Sequence, residues 1–300
     1  MHHHGEARLS AAADRRLLGF SLALLLAFMA AEIAVGIVAS SLALLADAAH
    51  MLTDAAALAL ALLAATVAVR PAKGRWTFGF GRAEILAAQA NGLTLALLGL
   101  WIVYEAARRL ADPLEVDAGP VGVVAVVGIA VNLGVMALLS RAERKSLNVR
   151  GAYLHIVTDL AAFLGTGAAA GLILLTGWDR FDPIASLFVA ALMLAASWTL
   201  LRESGRIFLE GAPSSAPPDD VGRAIAGHPG VAEAHDLHVW TVTDGFPALS
   251  AHVLVDPSAD CHRIRLELER MLRERFRIDH TTLQVEHVGS ARGLEIGRVP

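Results

Sequence analysis

Six stretches of this chain, at about residues 17–38, 42–69, 83–107, 118–140, 151–176 and 183–201, are apolar and near the length that crosses a bilayer. A hydrocarbon core about 30 Å thick takes roughly 20 apolar residues in helical form. Only a helix or a closed barrel satisfies its own backbone there. The breaks between the stretches carry charge, Gly or Pro, as in Arg70-Pro71-Ala72-Lys73-Gly74-Arg75, Asp112-Pro113 and Gly177 to Pro183. Composition agrees: 55% of the 300 residues are hydrophobic and 18% are charged, against about 25% charged in a soluble domain. The apolar excess ends near residue 205. The expected fold is an α-helical membrane protein with six transmembrane helices and a separate C-terminal domain.

Lys and Arg set the expected orientation, because cytoplasmic loops carry the excess of positive charge. One side of the membrane holds 13 of them: Arg8, Arg15, Arg16, Arg70, Lys73, Arg75, Arg82, Arg141, Arg144, Lys145, Arg150, Arg202 and Arg206. The other side holds three, Arg108, Arg109 and Arg180. The first side is read as cytoplasmic, which with six spans places both termini there. The net charge of -4 gives no basis for nucleic-acid binding. With Cys261 as the single cysteine, an intrachain disulfide and a Cys-x-x-Cys zinc knuckle are both excluded.

Beyond about residue 211 the text becomes that of a soluble domain. Gly211 to Pro218 reads as a linker, and Asp219 and Asp220 suit the start of a helix at 218–227. Strands are expected at 232–242 and 248–256, a charged amphipathic helix at 260–276 and a last strand at 281–288. The α-β-β-α-β order predicts a small two-layer α+β domain with its helices on one face of the sheet. The expected division is an N-terminal His-containing segment 1–16, a transport domain 17–206, a linker 207–217, the C-terminal domain 218–290 and a flexible tail 291–300. About 80 residues fold with little margin, which favours support from a partner.

Two phrases in the membrane half carry the chemistry: His50-Met51-Leu52-Thr53-Asp54 and His155-Ile156-Val157-Thr158-Asp159. Of 12 histidines, these are the two that fall in the apolar stretches. Residues i and i+4 share a helix face, one turn apart. Ionisable groups inside a membrane are costly and mark an ion or substrate path. Two imidazoles and two carboxylates make a full tetrahedral set for a divalent metal such as zinc. Asp47, one turn before His50, either caps its helix or draws cations along an ion path. Glu32, Gln89 and Asn132 are expected to bond between helices. In the tail, His235, His252, His262 and Glu286 are candidate ligands. His238, three residues after His235, should face the other side of its strand.

Ser41-Leu42-Ala43-Leu44-Leu45-Ala46-Asp47-Ala48-Ala49-His50-Met51-Leu52-Thr53-Asp54 resembles the second-helix signature of cation diffusion facilitator transporters. Phe78-Gly79-Phe80-Gly81-Arg82-Ala83-Glu84 resembles the start of the family's third helix, and Asn148 to Asp159 its fifth. His235-Asp236-Leu237-His238-Val239-Trp240 and Leu249-Ser250-Ala251-His252-Val253 resemble its cytoplasmic domain. The resemblance covers nearly the whole chain. It implies a homodimer with six helices per subunit and a metallochaperone-like, ferredoxin-like cytoplasmic domain. It also implies a secondary active transporter in the inner, cytoplasmic membrane that exports a divalent cation in exchange for protons. The zinc-preferring branch carries His-x-x-x-Asp in both helices, so Zn2+ is the expected cargo, bound by His50, Asp54, His155 and Asp159. Some relatives hold a second metal in the loop between helices two and three, but Arg70 to Phe80 has neither Asp nor His. The family's dinuclear tail site maps onto His235, His252, His262 and Glu286, with Gln284 where some relatives have another His. Broader cargo, namely Cd2+, Co2+, Ni2+, Mn2+ or Fe2+, and a membrane zinc sensor without flux are the alternatives. No hydrolase triad, phosphate loop or zinc-protease phrase supports an enzyme.

Overall fold

A computed structural model describes residues 27–139, 147–243 and 245–289, with the backbone alone at 58, 135, 137–139 and 147–156. The segment 1–16, residues 17–26 of the first expected span and the tail 291–300 lie outside the described residues. The chain packs as two compact units, one of residues 1–58 with 91–199 and the other of 59–90 with 200–300. Among the described residues six helices precede residue 210: α1 (Ala27–Val38 in its described part), α2 (Leu42–Ala68), α3 (Arg82–Ala111), α4 (Ala118–Leu139), α5 (Leu147–Thr176) and α6 (Phe181–Phe208). Among the described residues four stretches are long and apolar enough to cross a membrane: α2, α3, Val157–Thr176 of α5 and α6. Ala27–Val38 and Ala118–Gly134 are apolar but shorter.

In the first unit the helices approach closely where side chains are small. A Cβ on Gly128 of α4 would stand 2.5 Å from the Phe163 ring of α5, and one on Gly99 of α3 would stand 2.9 Å from Leu194 of α6. Ala43, Ala169 and Ala185 bring α2, α5 and α6 into one buried cluster. Large apolar residues such as Leu97, Trp101, Leu174 and Trp198 point outward instead, as lipid-facing positions do.

The turn between α1 and α2 is fastened by polar contacts. Ser40 adopts a left-handed conformation at φ 56°, and its carbonyl accepts from Arg109 Nη1 of α3 at 2.6 Å. The Ala39 carbonyl accepts from the Asp117 amide at 3.1 Å. α2 then begins at Leu42 with Ser41 as its cap: Ser41 Oγ accepts from the Leu44 amide at 3.2 Å. The remaining orphan amides of the first turn are met from α6, where Asp182 accepts from Leu42 N at 2.7 Å and Ala43 N at 3.3 Å.

The second unit contains the C-terminal domain: α7 (Pro218–Ala226), β1 (Val231–Thr243), β2 (Phe246–Val255), α8 (Cys261–Phe276) and β3 (His280–His287). The α-β-β-α-β order is as expected. The sheet runs β1-β2-β3, with β1 and β2 antiparallel and β3 parallel to β2. α8 supplies the crossover that a parallel pair requires. Its Ile264, Leu268, Leu272 and Phe276 recur every four residues and form one buried stripe. That stripe packs with Val221 and Ile225 of α7 and with Leu249, Ala251, Val253 and Val255 of β2. Alternation along β2 turns Ser250 and His252 to the other face.

The start of α3 is bound to this domain within the same unit. Arg82 Nε donates to the Val242 carbonyl at 3.0 Å, and Thr243 Oγ1 donates to the Gly81 carbonyl at 3.0 Å. Phe78 and Phe246 both meet the His280 ring edge to face, at 5.7 and 5.6 Å between centroids.

Two tests address this domain. Leu268→Ala removes a fully buried side chain and should destabilise the unit by about 2–5 kcal/mol, read as earlier proteolysis of the tail in urea on the full chain in detergent. Asp260 caps α8 by accepting from the Arg263 and His262 amides. Those hydrogen bonds, the Arg263 one first, hold its carboxyl below the ordinary aspartate value. A depressed pKa stabilises above the unfolded value of about 3.9 and is lost as pH falls through the folded one. Asp260→Ala should therefore lower the melting temperature at pH 7, and the difference from wild type should close as the pH is taken below about 4.

Candidate metal centre

α2 carries Asp47, His50 and Asp54 at successive turns, and α5 carries Asp159. The His50 imidazole lies between carboxylates from both helices. Its Nδ1 is 3.7 Å from Asp54 Oδ2, and its Nε2 is 4.0 Å from Asp159 Oδ1. The edge of a zinc tetrahedron is about 3.3 Å, given ligand bonds of about 2.0–2.1 Å. The spacing is thus near that of ligands around an ion, but the two carboxylates face opposite ring nitrogens. An imidazole binds an ion through one nitrogen, so sharing an ion requires the ring or Asp54 to rotate. His155 occupies the position one turn before Asp159, with its side chain outside the described residues. Among the described residues no three His, Cys, Asp or Glu side chains are gathered as a metal-holding group; the fourth expected ligand, His155, has its side chain outside them.

Burial falls along α2 in the direction of the chain. Asp47 is 2% exposed and His50 7%, whereas the side chain of Asp54 is 30% exposed. Asp47 sits inside the helix, past a first turn that Ser41 and Asp182 already cap, so the capping role expected for it does not hold. It lies beside Glu32 of α1, which is fully buried. Glu32 and Asp47 are hydrogen-bonding neighbours across α1 and α2, and no other group among the described residues donates to the Glu32 oxygens or Asp47 Oδ2. Gln89 does bond between helices, accepting from Ser204 Oγ of α6 at 2.5 Å. Among the described residues Asn132 bonds within its own helix instead: its Nδ2 donates at 3.0 Å to the Gly128 carbonyl.

Sequence reasoning passed over Asp182. It read the sixth span from 183 and left this residue in the preceding break. No local pattern gives a partner 140 residues away. Asp236 was missed as well. It takes a left-handed φ of 52°, and the register shift between His235 and His238 inserts one extra residue in β1. A bulge of one residue reverses the alternation, so His238 shares a face with His235, contrary to expectation. His235 lies opposite His252 in register, with ring centroids 5.5 Å apart. Asp236 reaches His238 Nε2 at 3.0 Å and His252 Nε2 at 3.9 Å. Glu286 pairs in register with Leu254 and accepts from Gln284 Nε2. His262 is exposed in the first turn of α8, where its amide donates to Asp260.

Residues 18–209 match the family of cation efflux transmembrane domains, and residues 213–288 match the family of cation efflux protein cytoplasmic domains. The metal cation efflux system protein CzcD of Cupriavidus metallidurans is 41% identical over 274 residues, spanning 91% of this chain and 87% of its own. A cadmium, cobalt and zinc/H(+)-K(+) antiporter of Bacillus subtilis is 38% identical over 290 residues, spanning 95% and 91%. The zinc transporter ZitB of Escherichia coli is 38% identical over 288 residues, spanning 95% and 92%. The chain belongs to the cation efflux, or cation diffusion facilitator, family: it is a divalent-cation efflux transporter, a secondary active carrier and not an enzyme.

Proposed function

We propose that the chain exports Zn2+ from the cytoplasm in exchange for protons. It does so as a homodimer with six spans per subunit, in the cytoplasmic membrane with both termini inside. His50, Asp54, His155 and Asp159 are the proposed ligands, one pair from each of two helices. The observation that carries this reading is the His50 imidazole lying between the carboxylates of Asp54 and Asp159. Imidazole and carboxylate together suit zinc, and four of them close a tetrahedron. The grading of exposure along α2 supports arrival of the ion from the Asp54 end. That is the side to which the excess of Lys and Arg assigns the cytoplasm.

Ligation requires neutral His and ionised Asp, so loading zinc releases protons. When the site faces the opposite compartment, protons compete for the same atoms and the ion leaves. Imidazole suits that exchange because its unperturbed pKa, about 6.5, lies in the working range. Asp47 lies on the proposed ion path beside the four ligands. The tail residues His235, His252, His262 and Glu286 are the proposed regulatory zinc site. Broader cargo is the second reading. The Bacillus subtilis relative is named for cadmium and cobalt as well as zinc, and imidazole accepts several of these ions.

The test is zinc flux into proteoliposomes loaded with a pH reporter. Wild type should move zinc with protons in the opposite direction. Asp54→Ala should lose more than the roughly 10–100-fold in affinity that removal of a supporting contact alone costs. Zinc binding without flux would mean a sensor, and flux that survives Asp54→Ala would place the path elsewhere. His50→Asp should loosen the preference for zinc over cadmium in competition assays, and an unchanged preference would remove His50 from selectivity.

A further inference from the structure

Asp182 belongs to the first turn of α6, yet its carboxylate serves another helix. Oδ1 accepts from Ser41 Oγ at 2.5 Å and from the Ala43 amide at 3.3 Å, while Oδ2 accepts from the Leu42 amide at 2.7 Å. The side chain is buried. Charge-assisted bonds of this kind are roughly twice as strong as neutral ones. An anion at a helix N-terminus is further favoured by the helix dipole. The geometry matters more than the strength. Two successive amides sit about 100° apart around the helix axis, so a carboxylate that takes both fixes the rotation of α2 as well as its place. Ser41 Oγ joins the same grip, since it accepts from Leu44 N while donating to Asp182.

His50 lies eight residues beyond Leu42, a lever of roughly 12 Å at 1.5 Å per residue. A tilt of about 10° at the clamped end displaces it by roughly 2 Å at that lever. Ligand distances in a metal site are held to about 0.2 Å. The aim of α2 therefore has to be set more tightly than its apolar, alanine-rich surface provides. We propose that Asp182 is a positioning residue for cation binding: it aims α2, and with it His50 and Asp54, at the partner carboxylate on α5. This rests on the reading of His50 and Asp54 as ligands.

The experiment uses the full chain in proteoliposomes, with zinc and cadmium as probes and Asp182→Asn and Ser41→Ala as variants. Asn keeps the shape of Asp182 but turns an amide NH2 toward donors that a carboxylate oxygen accepted from. Asp182→Asn should raise the zinc KM at least about tenfold and shift the zinc-to-cadmium ratio. The kcat per folded transporter should stay within about twofold. Ser41→Ala should move both quantities in the same direction by less, and it decides the matter if Asp182→Asn does not fold. A metal-free readout accompanies flux: amide exchange at Leu42 and Ala43 should quicken in both variants. A lower melting temperature and a reduced folded fraction, with wild-type KM and selectivity, would make Asp182 merely structural and overturn the proposal. So would wild-type values throughout. Failure of the underlying reading shows separately, as wild-type zinc flux that is absent or indifferent to Asp54→Ala.

Discussion

A polar group inside an apolar helix has no water to turn to, so each one must find its partner within the protein or serve the transported ion. Most of the polar contacts described follow from this. Ser204 and Gln89 meet each other across α3 and α6. Ser197 donates to the Gly92 carbonyl at 2.8 Å. Thr53 returns its hydroxyl to the Ala49 carbonyl one turn back. Asp182 is absorbed wholly by the first turn of α2. Against that background, Glu32 and Asp47 stand out as two buried carboxyls whose hydrogen-bonding neighbour is each other. They lie on the same stretch of the bundle as His50, Asp54 and Asp159. Glu32 and Asp47 thus gather with the three candidate ligands, while the neutral polar groups bond either across helices or back onto their own.

The two units follow different physical rules. The C-terminal domain is an ordinary soluble core, in which the four-residue stripe of α8 closes over one face of a three-stranded sheet. Its polar face is left with Ser250, His252 and the bulged segment of β1. The helical unit packs through glycine and alanine together with buried Leu44, Val121, Ile173 and Met193, and shows many other large apolar side chains to the outside. Across α2 and α5 the His50 and Asp159 side chains come within 4.0 Å of each other.

Much of this was legible in the residues, and the exceptions have physical causes. The elements of the tail could be read because helix and strand periods are local. The pairing of His50 with Asp54 could be read because a turn of helix fixes it. Asp182 could not, since its role depends on a contact between residues far apart in the chain, and its position beside Pro183 made it read as a break. The face of His238 could not, since a single left-handed residue, Asp236, reversed an alternation that otherwise holds. Asn132 shows the limit of polarity as a guide: an amide in an apolar helix satisfies itself on its own backbone as readily as on a neighbour.

The closing of the bundle near the α1–α2 turn is built from hydrogen bonds rather than from apolar packing alone. Ser40 accepts from Arg109, Ala39 from Asp117, and the amide of Val116 donates to Asp179 at 3.1 Å. Arg180 Nε donates to the Leu110 carbonyl at 2.8 Å. Each bond to a charged group contributes about 1.5–3 kcal/mol, and water can take the place of either partner. A differential affinity of about 5.5 kcal/mol is enough to invert a two-state population. A few such bonds are therefore matched in scale to what binding of one ion can shift. An apolar seal of the same area would gain no substitute contacts on opening.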